Sequence, residues 1–342
     1  MTTSAPGSGR LADRADFRDL LGIVAAEVGL LPAWIEKDYW LVRVLEAVAR
    51  SPGLSGLFVF KGGTSLSKAW KLIDRFSEDV DLLLTGEHYG PMPAKKGARE
   101  KTFKAVRQAI EKATPLRLSL EGLSEEEKRF YYLRADTHGQ LRYPIRGGSL
   151  EATAGSQEWV LVEAGFRGGS NPWSMVPIRS YVGEYISGKQ HLASLAAEYV
   201  ADVSPVDVPV LAAERTFIEK LLAVHTAAVG SVSSLQARHY YDLSKLLYHS
   251  DVIRCLNQPQ EFREILSEAV GVSNAHWGTR LDPGTLDLSA SPALTLGREV
   301  LDALTRRWPS EETLYPRGQP PLRDVLREIA QLREQLQRIA AG

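Results

Sequence analysis

The stretch that most constrains the fold is residues 57–84, which read LFVFKGGTSLSKAWKLIDRFSEDVDLLL. Its first four residues are bulky and apolar, as expected of a short buried strand. Gly62 and Gly63 end that run, and because glycine lacks a Cβ atom the backbone can turn sharply there and approach another group closely. Apolar residues then recur at helical spacing, and residues 79–84 read as a second strand. The stretch therefore predicts a strand, a glycine turn, a helix and a strand.

Two aspartates lie on the second predicted strand. Because strand side chains alternate between faces, Asp79 and Asp81 point the same way, while Val80 and Leu82 point into the core. Neighbouring carboxylates repel each other unless a cation lies between them or one of them is protonated. Mg²⁺ commonly binds one or two protein carboxylates together with phosphate oxygens and water. An isolated Asp-x-Asp is more often a solvated strand edge, but the apolar neighbours of this pair favour a buried strand and a metal site.

The glycine turn has a matching preference for anions. It presents free backbone N–H groups and a helix N-terminus, which favour an anion such as a triphosphate, and Thr64 or Ser65 can cap that helix. A Gly-Gly pair alone is usually only a turn. Placed one helix before a carboxylate pair that binds metal, it completes the minimal arrangement for nucleotidyl transfer.

The composition excludes several other classes of protein. The 342 residues are 44% hydrophobic and 24% charged, which is ordinary for a globular chain with a sizeable core. The net charge of −1 gives no global attraction to nucleic acid, so a polyanion site has to be a local patch. The single cysteine, Cys255, excludes an internal disulfide and suits a reducing compartment. Without a long apolar run or a signal-peptide segment, a cytoplasmic protein that does not contact a membrane is expected.

The chain is expected to consist of a short tail and two larger parts. Residues 1–10 are small and polar and are expected to be disordered. Residues 11–205 mix helical and strand patterns and are expected to form an α/β (α+β) core. Residues 206–342 are expected to form a mostly helical half, reached through the segment SPVDVPV. Its last helix has one apolar stripe, which suits packing or a partner helix.

Residues 91–150 carry a local surplus of positive charge, with 13 Lys or Arg against 7 Asp or Glu. A predicted helix over about 97–113 and the loop before it hold many of them, and Tyr131, Tyr132 and Tyr143 follow farther along. Arginine and lysine contact phosphates, and tyrosine can stack on an unpaired base. The alternative is a solvated helix followed by two ordinary strands, FYYLRA and QLRYPI. The candidate nucleic-acid-binding residues are Lys95, Lys96, Arg99, Lys101 and Lys104.

Three segments together carry a resemblance to a known family. The string KGGTSLSKAW…RFSEDVDL resembles the AbiEii/AbiGii toxin family, which includes the mycobacterial MenT toxins and belongs to the DNA polymerase β-like nucleotidyltransferase superfamily. ERTFIEKLLAVH at 214–225 and RHYYDLSKLL at 238–247 are similar to later motifs of the same family. The resemblance covers roughly residues 30–250. It implies a polymerase-β-like core with a mixed sheet and a mostly helical C-terminal half.

The resemblance also implies the site residues. Superfamily members place a third carboxylate on a neighbouring strand, for which Glu163 is the candidate, with an ion pair to a nearby arginine as the alternative. A lysine and an aspartate of the later motifs matter for activity, and they correspond to Lys220 and Asp242. The lysine would hold a nucleotide phosphate, and the aspartate would hold that lysine or an arginine in place, or accept a hydrogen bond from the nucleotide. The implied catalytic residues are Asp79, Asp81, Lys220 and Asp242; the nucleotide-binding residues are Gly62, Gly63, Thr64, Ser65, Ser77 and Lys220; the metal ligands are Asp79, Asp81 and Glu163.

The implied activity is that of a type IV toxin–antitoxin toxin, which transfers a nucleotidyl group from an NTP to the 3′ acceptor end of tRNA and so blocks translation. Mg²⁺ would be the cofactor, and the partners would be an NTP, the tRNA acceptor stem and a cognate antitoxin. Because a fold does not distinguish tRNA from a protein acceptor, protein adenylylation is the first alternative. A catalytically silent binding partner is the alternative from another class, and the intact set of implied catalytic residues argues against it.

Overall fold

A computed structural model describes most of the chain, in the ranges 9–77, 79–121, 124, 138–145 and 159–341. These residues divide into two units. The first comprises the described parts of Met1–Ala69, Ser77–Phe166 and Ser174–Val210. The second comprises Trp70–Phe76, Arg167–Trp173 and the described part of Leu211–Gly342. Each unit has its own buried apolar residues.

The first unit is built on a sheet that has six described strands. They are β1 (Phe58–Lys61), β2 (Asp79–Leu84), β3 (His138–Pro144), β4 (Trp159–Gly165), β5 (Trp173–Ile178) and β6 (Val206–Leu211). Their spatial order is β3-β4-β2-β1-β6-β5. β2 pairs antiparallel with β1 and parallel with β4, while β3 pairs antiparallel with β4 and β1 pairs parallel with β6. The sheet is mixed, which confirms the predicted α/β fold class.

The two strands predicted within residues 57–84 form as expected. β1 buries its three apolar residues, and in β2 the residues Val80, Leu82, Leu83 and Leu84 are buried. Asp79 and Asp81 alternate with them and are half-buried on the other face. β2 lies inside the sheet, between β1 and β4. The predicted alternation of β2 is therefore confirmed, with both aspartates on one face.

Seven α-helices of the described chain accompany the sheet in the first unit. They are α1 (Phe17–Val28), α2 (Pro32–Ala49), α3 (Gly62–Lys68), α4 (Lys96–Ala113), α5 (Tyr181–Ser187), α6 (Ala193–Glu198) and α7 (Val200–Val203). Pro32 begins α2, where the missing N–H costs no helical hydrogen bond. Nearly all of α2 is buried, because it contacts β2 and β4 of the sheet as well as α1 and α4.

The helix after the glycine turn differs from its prediction in both position and length. α3 begins at Gly62, so Thr64 and Ser65 lie inside its first turn, and no side chain caps it. The prediction that one of them caps the helix was wrong. α3 ends at Lys68, although apolar residues continue at helical spacing to Ile73. Lys71 has a φ of 53°, which a right-handed helix does not accommodate.

A buried carboxylate ties the start of the described chain to the helices of the first unit. Asp202 of α7 is buried and accepts hydrogen bonds from the Leu11 backbone N–H at 2.6 Å and from the Tyr39 hydroxyl at 2.8 Å. It also pairs with the Arg43 guanidinium at 2.9 Å. A carboxylate placed this deep is stable only when such partners satisfy it.

The second unit is helical in its described part beyond Leu211. Its α-helices are α8 (Ala213–Gly230), α9 (Ala237–Leu246), α10 (Ser250–Leu256), α11 (Pro259–Trp277), α12 (Pro292–Thr295), α13 (Arg298–Arg307) and α14 (Leu322–Ala341). α8 contacts α9, α10, α11 and α12. The predicted apolar stripe of the last helix is buried at Val325, Ile329, Leu332 and Leu336, where α14 contacts α9 and α12. The stripe therefore serves packing within this unit.

Some predictions concern residues that the structure does not describe. The predicted disordered tail, residues 1–10, lies outside the described residues apart from Gly9 and Arg10. The predicted strand FYYLRA, with Tyr131 and Tyr132, lies outside them as well. The predicted boundary between residues 205 and 206 stays a prediction.

Candidate active site

Two of the three predicted metal ligands face each other across neighbouring strands of the first unit. Asp81 on β2 is the register partner of Glu163 on β4, and their carboxyl groups lie within hydrogen-bonding reach. Asp79 lies on the same face of β2, and its register partner is Leu161. Burial raises the pKa of Asp81 well above its ordinary value, and the adjacent Glu163 carboxylate raises it further.

The carboxylate pair is part of a polar row that crosses four strands. Lys61 on β1 is the register partner of Asp81, and its charge partly opposes the rise in the pKa of Asp81. Gln140 on β3 is the register partner of Glu163, and its side-chain amide donates a hydrogen bond to the Glu163 carboxylate. Sequence reasoning assigned no site role to Lys61 or Gln140. Gln140 in particular gave no signal, because a neutral residue in a predicted strand is unremarkable.

Gly62 is needed where it stands, because the Asp81 carboxylate lies against it. Its φ is +80°, in the left-handed region that other residues rarely adopt. A Cβ atom at this position would overlap the carboxyl group of Asp81. The turn and the second strand of the opening stretch are therefore joined by direct contact.

The hydroxyl groups of the predicted nucleotide-binding turn are used inside the protein. Thr64 is buried and its hydroxyl donates to the Asp79 carbonyl at 2.6 Å. Ser65 is fully buried and its hydroxyl donates to the Gly62 carbonyl at 2.8 Å. These bonds hold α3 to the start of β2 and close the turn on itself. What the turn offers a ligand is its backbone, because the first N–H groups of a helix have no partner within the helix.

The last residue of α3 is also fixed, by a charged residue of α2. Lys68 forms an ion pair with Asp38 at 2.7 Å, and both side chains are buried. Asp38 also accepts the Tyr181 backbone N–H at 2.7 Å, and the Lys68 ammonium lies 4.0 Å from the centre of the Tyr181 ring. Asp38 of α2 therefore anchors the helix that follows the glycine turn.

The residues present fit a divalent cation, although they do not form a closed cage. Among the described residues, no group of three or more His, Cys, Asp or Glu side chains is placed to hold a metal ion. Mg²⁺ does not need such a group, since one or two carboxylates together with phosphate oxygens and water satisfy it. Asp81 and Glu163 provide hard oxygen ligands whose mutual repulsion a cation would relieve.

In the second unit the predicted aspartate is held by two cations. Asp242 of α9 is fully buried and receives two hydrogen bonds of 2.7 Å from the Arg75 guanidinium. Lys220 of α8 pairs with the same carboxylate at 2.7 Å. Burial alone would raise the pKa of Asp242, but Arg75 and Lys220 outweigh it and hold that pKa well below its ordinary value. Of the predicted roles for the aspartate, the observed contact matches the one that holds the lysine and an arginine.

Three positive charges, those of Arg75, Lys220 and Arg238, lie near Asp242, and Glu311 is a second carboxylate that interacts with this group. Burial lowers the pKa of Lys220, and Arg75 and Arg238 lower it further, against the effect of Asp242. Burial also lowers the pKa of His239 to about 3, with Lys220 adding to the effect, so the imidazole is neutral at ordinary pH. Lys220 therefore lies close to other positive charges, and a further anion nearby would stabilise its charged form.

Arg75 is a member of this cluster that sequence reasoning missed. It lies in the segment RFSEDVDL, four residues before Asp79, and is buried. Its partner Asp242 is 167 residues away along the chain. The family string contained Arg75, but only the contact with Asp242 gives it a function.

A family model for the nucleotidyl transferase AbiEii toxin of type IV toxin–antitoxin systems matches residues 43–334. The chain belongs to the AbiEii toxin family. The match includes parts of both units and every implied catalytic residue. Membership of this family supports a nucleotidyltransferase toxin, and the family implies an NTP substrate and an antitoxin partner.

Two solved structures similar to this AbiEii chain are also nucleotidyltransferases by description. MenT4, a nucleotidyltransferase toxin from Mycobacterium tuberculosis, is 15% identical with a TM-score of 0.48, over 94% of this chain and 98% of that chain. A protein from H. pylori described as a nucleotidyltransferase is 15% identical with a TM-score of 0.29, over 79% of this chain and 94% of that chain. No curated protein sequence matches the chain. None of the described helices has the length and apolar character needed to cross a membrane.

The basic residues of this AbiEii chain differ among themselves. Four of the five predicted nucleic-acid-binding residues are exposed, namely Lys95, Lys96, Lys101 and Lys104. Arg99 is buried instead, and its guanidinium donates to the carbonyls of Pro93 and Ala94 at 2.7 Å each. Its charge is committed to the loop before α4. Tyr143 is fully buried in β3, which removes it as a base-stacking surface. Ser77, two residues before β2, is half-buried.

Proposed function

We propose that this AbiEii chain transfers a nucleotidyl group from an NTP to the 3′ acceptor end of tRNA, and that the modified tRNA no longer supports translation. The observation that carries the proposal is the Asp81–Glu163 carboxylate pair, placed against the glycine turn in a chain of a nucleotidyltransferase family. Two half-buried carboxylates in contact are costly without a cation. A carboxylate pair beside a glycine turn is an arrangement suited to metal-dependent nucleotidyl transfer.

In the proposed reaction, a tRNA 3′-terminal hydroxyl oxygen attacks the α-phosphorus of the NTP. A new phosphodiester bond forms, the bond to the bridging oxygen breaks, pyrophosphate leaves and the hydroxyl proton passes to solvent or a carboxylate. Asp79, Asp81 and Glu163 would hold Mg²⁺, which when bound orients the attacking oxygen and neutralises charge on the leaving pyrophosphate. Because burial and the neighbouring Glu163 raise the pKa of Asp81, cation binding at Asp81 would be coupled to release of its proton.

Each unit has residues that we propose to contact a nucleotide phosphate. Backbone N–H groups of Gly62, Gly63, Thr64 and Ser65 would hold the β- and γ-phosphates, with Ser77 nearby in the sequence. Lys220 would add a positive charge for a nucleotide phosphate, and Asp242 with Arg75 would fix its position. Lys68 and Asp38 would keep α3, and with it the turn, in place.

The first experiment incubates the purified protein with total tRNA, Mg²⁺ and each α-labelled NTP in turn. Label in tRNA that is lost in Asp81→Ala and Asp79→Ala would support the proposal and identify the nucleotide. Asp207→Ala is the matched control, because Asp207 is an exposed aspartate on β6 of the same sheet. Transfer retained by both Asp79→Ala and Asp81→Ala would contradict the metal assignment.

The same experiment separates the alternatives. Label that appears on protein in a lysate, with none in tRNA, would favour protein adenylylation. A silent binding partner would bind no NTP in the presence of Mg²⁺, which calorimetry measures directly.

The proposed RNA surface is the set of exposed lysines on and before α4. Reversing the charge of Lys95, Lys96, Lys101 and Lys104 should weaken tRNA binding and flatten its dependence on salt, because fewer counterions are released. Each lost phosphate contact should reduce the slope of log K against log salt by about 0.7 to 0.9. Arg107→Gln is the control, because Arg107 on the same helix is paired with Glu111 at 3.0 Å. An unchanged slope in the lysine variant would place the RNA surface elsewhere.

A further inference from the structure

Four polar side chains lie in register across four neighbouring strands of the first unit. In spatial order they are Gln140 on β3, Glu163 on β4, Asp81 on β2 and Lys61 on β1. Register partners lie on the same face of a sheet, so the two carboxylates are flanked by an amide on one side and an ammonium on the other. The two ends of the row are therefore chemically different.

Gln140 contacts the outer side of Glu163. Its side-chain amide can donate hydrogen bonds, and it donates one to the Glu163 carboxylate. One carboxylate oxygen of Glu163 is occupied in this way, and the Asp81 carboxyl group lies on the other side. The Glu163 carboxylate thus accepts a hydrogen bond from a neutral side chain on the neighbouring strand.

We infer that Gln140 is a positioning residue for the candidate metal site, acting through Glu163. The inference deepens the proposed function and rests on it. A neutral donor suits this position for an electrostatic reason. A lysine or arginine next to Glu163 would neutralise the carboxylate and compete with a divalent cation, whereas an amide orients the oxygen and leaves its charge available.

The alternative is that Gln140 only stabilises the pairing of β3 with β4. A cross-strand hydrogen bond contributes to sheet stability whatever the carboxylate does. The two roles separate in a double-mutant cycle. A positioning residue loses its effect on metal binding when Glu163 is already replaced, because the group through which it acts is absent. A residue that acts only on strand pairing has the same effect in both backgrounds.

The test measures Mn²⁺ binding to the full chain without nucleotide, by calorimetry or by the loss of the electron paramagnetic resonance signal of free Mn²⁺. Gln140→Leu should weaken Mn²⁺ binding by about 10- to 100-fold, the usual effect of removing an outer-shell partner. Glu163→Gln should weaken it at least as much. Adding Gln140→Leu to Glu163→Gln should cause no further loss. Gln140→Met is the second variant, and thermal unfolding without metal checks that each variant folds.

Gln260→Leu is the matched control. Gln260 on α11 is exposed and donates to Glu264 at 2.7 Å. Gln260→Leu therefore removes the same kind of amide–carboxylate hydrogen bond, on a helix instead of in the sheet. It should leave Mn²⁺ binding unchanged.

The outcomes distinguish this inference from the proposed function. Unchanged Mn²⁺ binding in Gln140→Leu, with binding lost in Asp81→Asn, would overturn the role of Gln140 and leave the metal site standing. An equal loss on adding Gln140→Leu to the wild type and to Glu163→Gln would also overturn it. A wild-type chain that binds no Mn²⁺ would overturn the metal site and the role of Gln140 together.

Discussion

Two carboxylates of this chain are held in opposite electrostatic surroundings. Asp81, in the first unit, faces the carboxylate of Glu163 across the sheet. Asp242, in the second unit, accepts hydrogen bonds from Arg75 and pairs with Lys220. The pKa of Asp81 is raised and that of Asp242 is lowered. Burial acts in the same direction on both, so the difference comes from the charges beside them.

The Asp81 centre is suited to binding a cation, whereas the Asp242 centre is suited to stabilising the fold. The Asp81 pair brings two carboxylates together with only partial compensation from Lys61, so a bound divalent cation would stabilise it further. Asp242 already has its partners, and its energetic role is to keep two buried cations in place. Both kinds of centre contain residues that the family resemblance implied as catalytic. Substitutions should therefore change stability with opposite signs at the two centres.

Replacing Asp242 should have the largest effect on stability. Asp242→Asn removes the carboxylate that pairs with both the buried Arg75 and the largely buried Lys220, which should cost about 3–5 kcal/mol. Because the pKa of the folded carboxyl is lowered, its contribution is present above about pH 4 and is lost as the pH falls. Urea unfolding at pH 7 and pH 3 measures both the size of the loss in stability and its dependence on pH. A loss that is as large at pH 3 as at pH 7 would contradict the electrostatic account.

Replacing Gly62 should follow in size. Gly62→Ala puts a Cβ into the left-handed region and into the Asp81 carboxyl group, which together should cost on the order of 2–4 kcal/mol. Gly22→Ala is the control, because Gly22 lies inside α1 with open space around it and should gain up to about 1 kcal/mol. Denaturant midpoints of the two variants should move in opposite directions. Equal midpoints would mean that the turn relaxes freely.

Replacing Asp81 should change stability in the other direction. Asp81→Asn removes the repulsion from Glu163, so the metal-free variant should be more stable by on the order of 2 kcal/mol near pH 8. The folded pKa of Asp81 is raised, so wild-type stability should fall as the pH rises from about 4 toward that pKa, and the variant should lack this fall. Thermal unfolding in a chelator from pH 4 to pH 8 measures the difference. Parallel curves would contradict the prediction.

Replacing Lys220 should have the smallest effect on stability. In Lys220→Met, Asp242 keeps two hydrogen bonds from Arg75, so the loss should be about 1–2 kcal/mol. Arg75→Met removes both of those bonds and should cost more. If Lys220 also binds the nucleotide, Lys220→Met should raise the KM for NTP by more than the loss of stability accounts for. A Lys220→Met loss that exceeds the Arg75→Met loss would reverse the assigned roles.

Local sequence pattern was sufficient for β1, β2 and the position of Gly62. The alternation in β2 comes from a period of two residues, so it can be read without any long-range information. The length of α3 was not predictable in this way. Helical spacing continues after Lys68, but residues 70–76 belong to the second unit, where Ile73 is buried and the Trp70 indole donates to the Leu211 carbonyl. Apolar spacing indicates burial and does not identify the core that provides it.

Contacts between distant parts of the sequence needed the family or the structure. Glu163 was implied by the resemblance, whereas its pairing with Asp81 depends on strand register, which no local pattern sets. Arg75 and Gln140 were not assigned because each acts through a partner far along the chain. The buried state of Arg99 was likewise invisible, since a lysine-rich amphipathic helix gives no indication that one of its cations turns back onto the preceding loop.

The contact between Gly62 and Asp81 links two positions that a sequence pattern treats as separate. A glycine is required at one because a carboxylate occupies the space at the other. The two positions should therefore show epistasis. In a library that varies both and is selected only for folding, alanine at position 62 should survive mainly beside a shorter residue at position 81. Packing alone would then couple the glycine turn to the Asp-x-Asp strand, independently of catalysis.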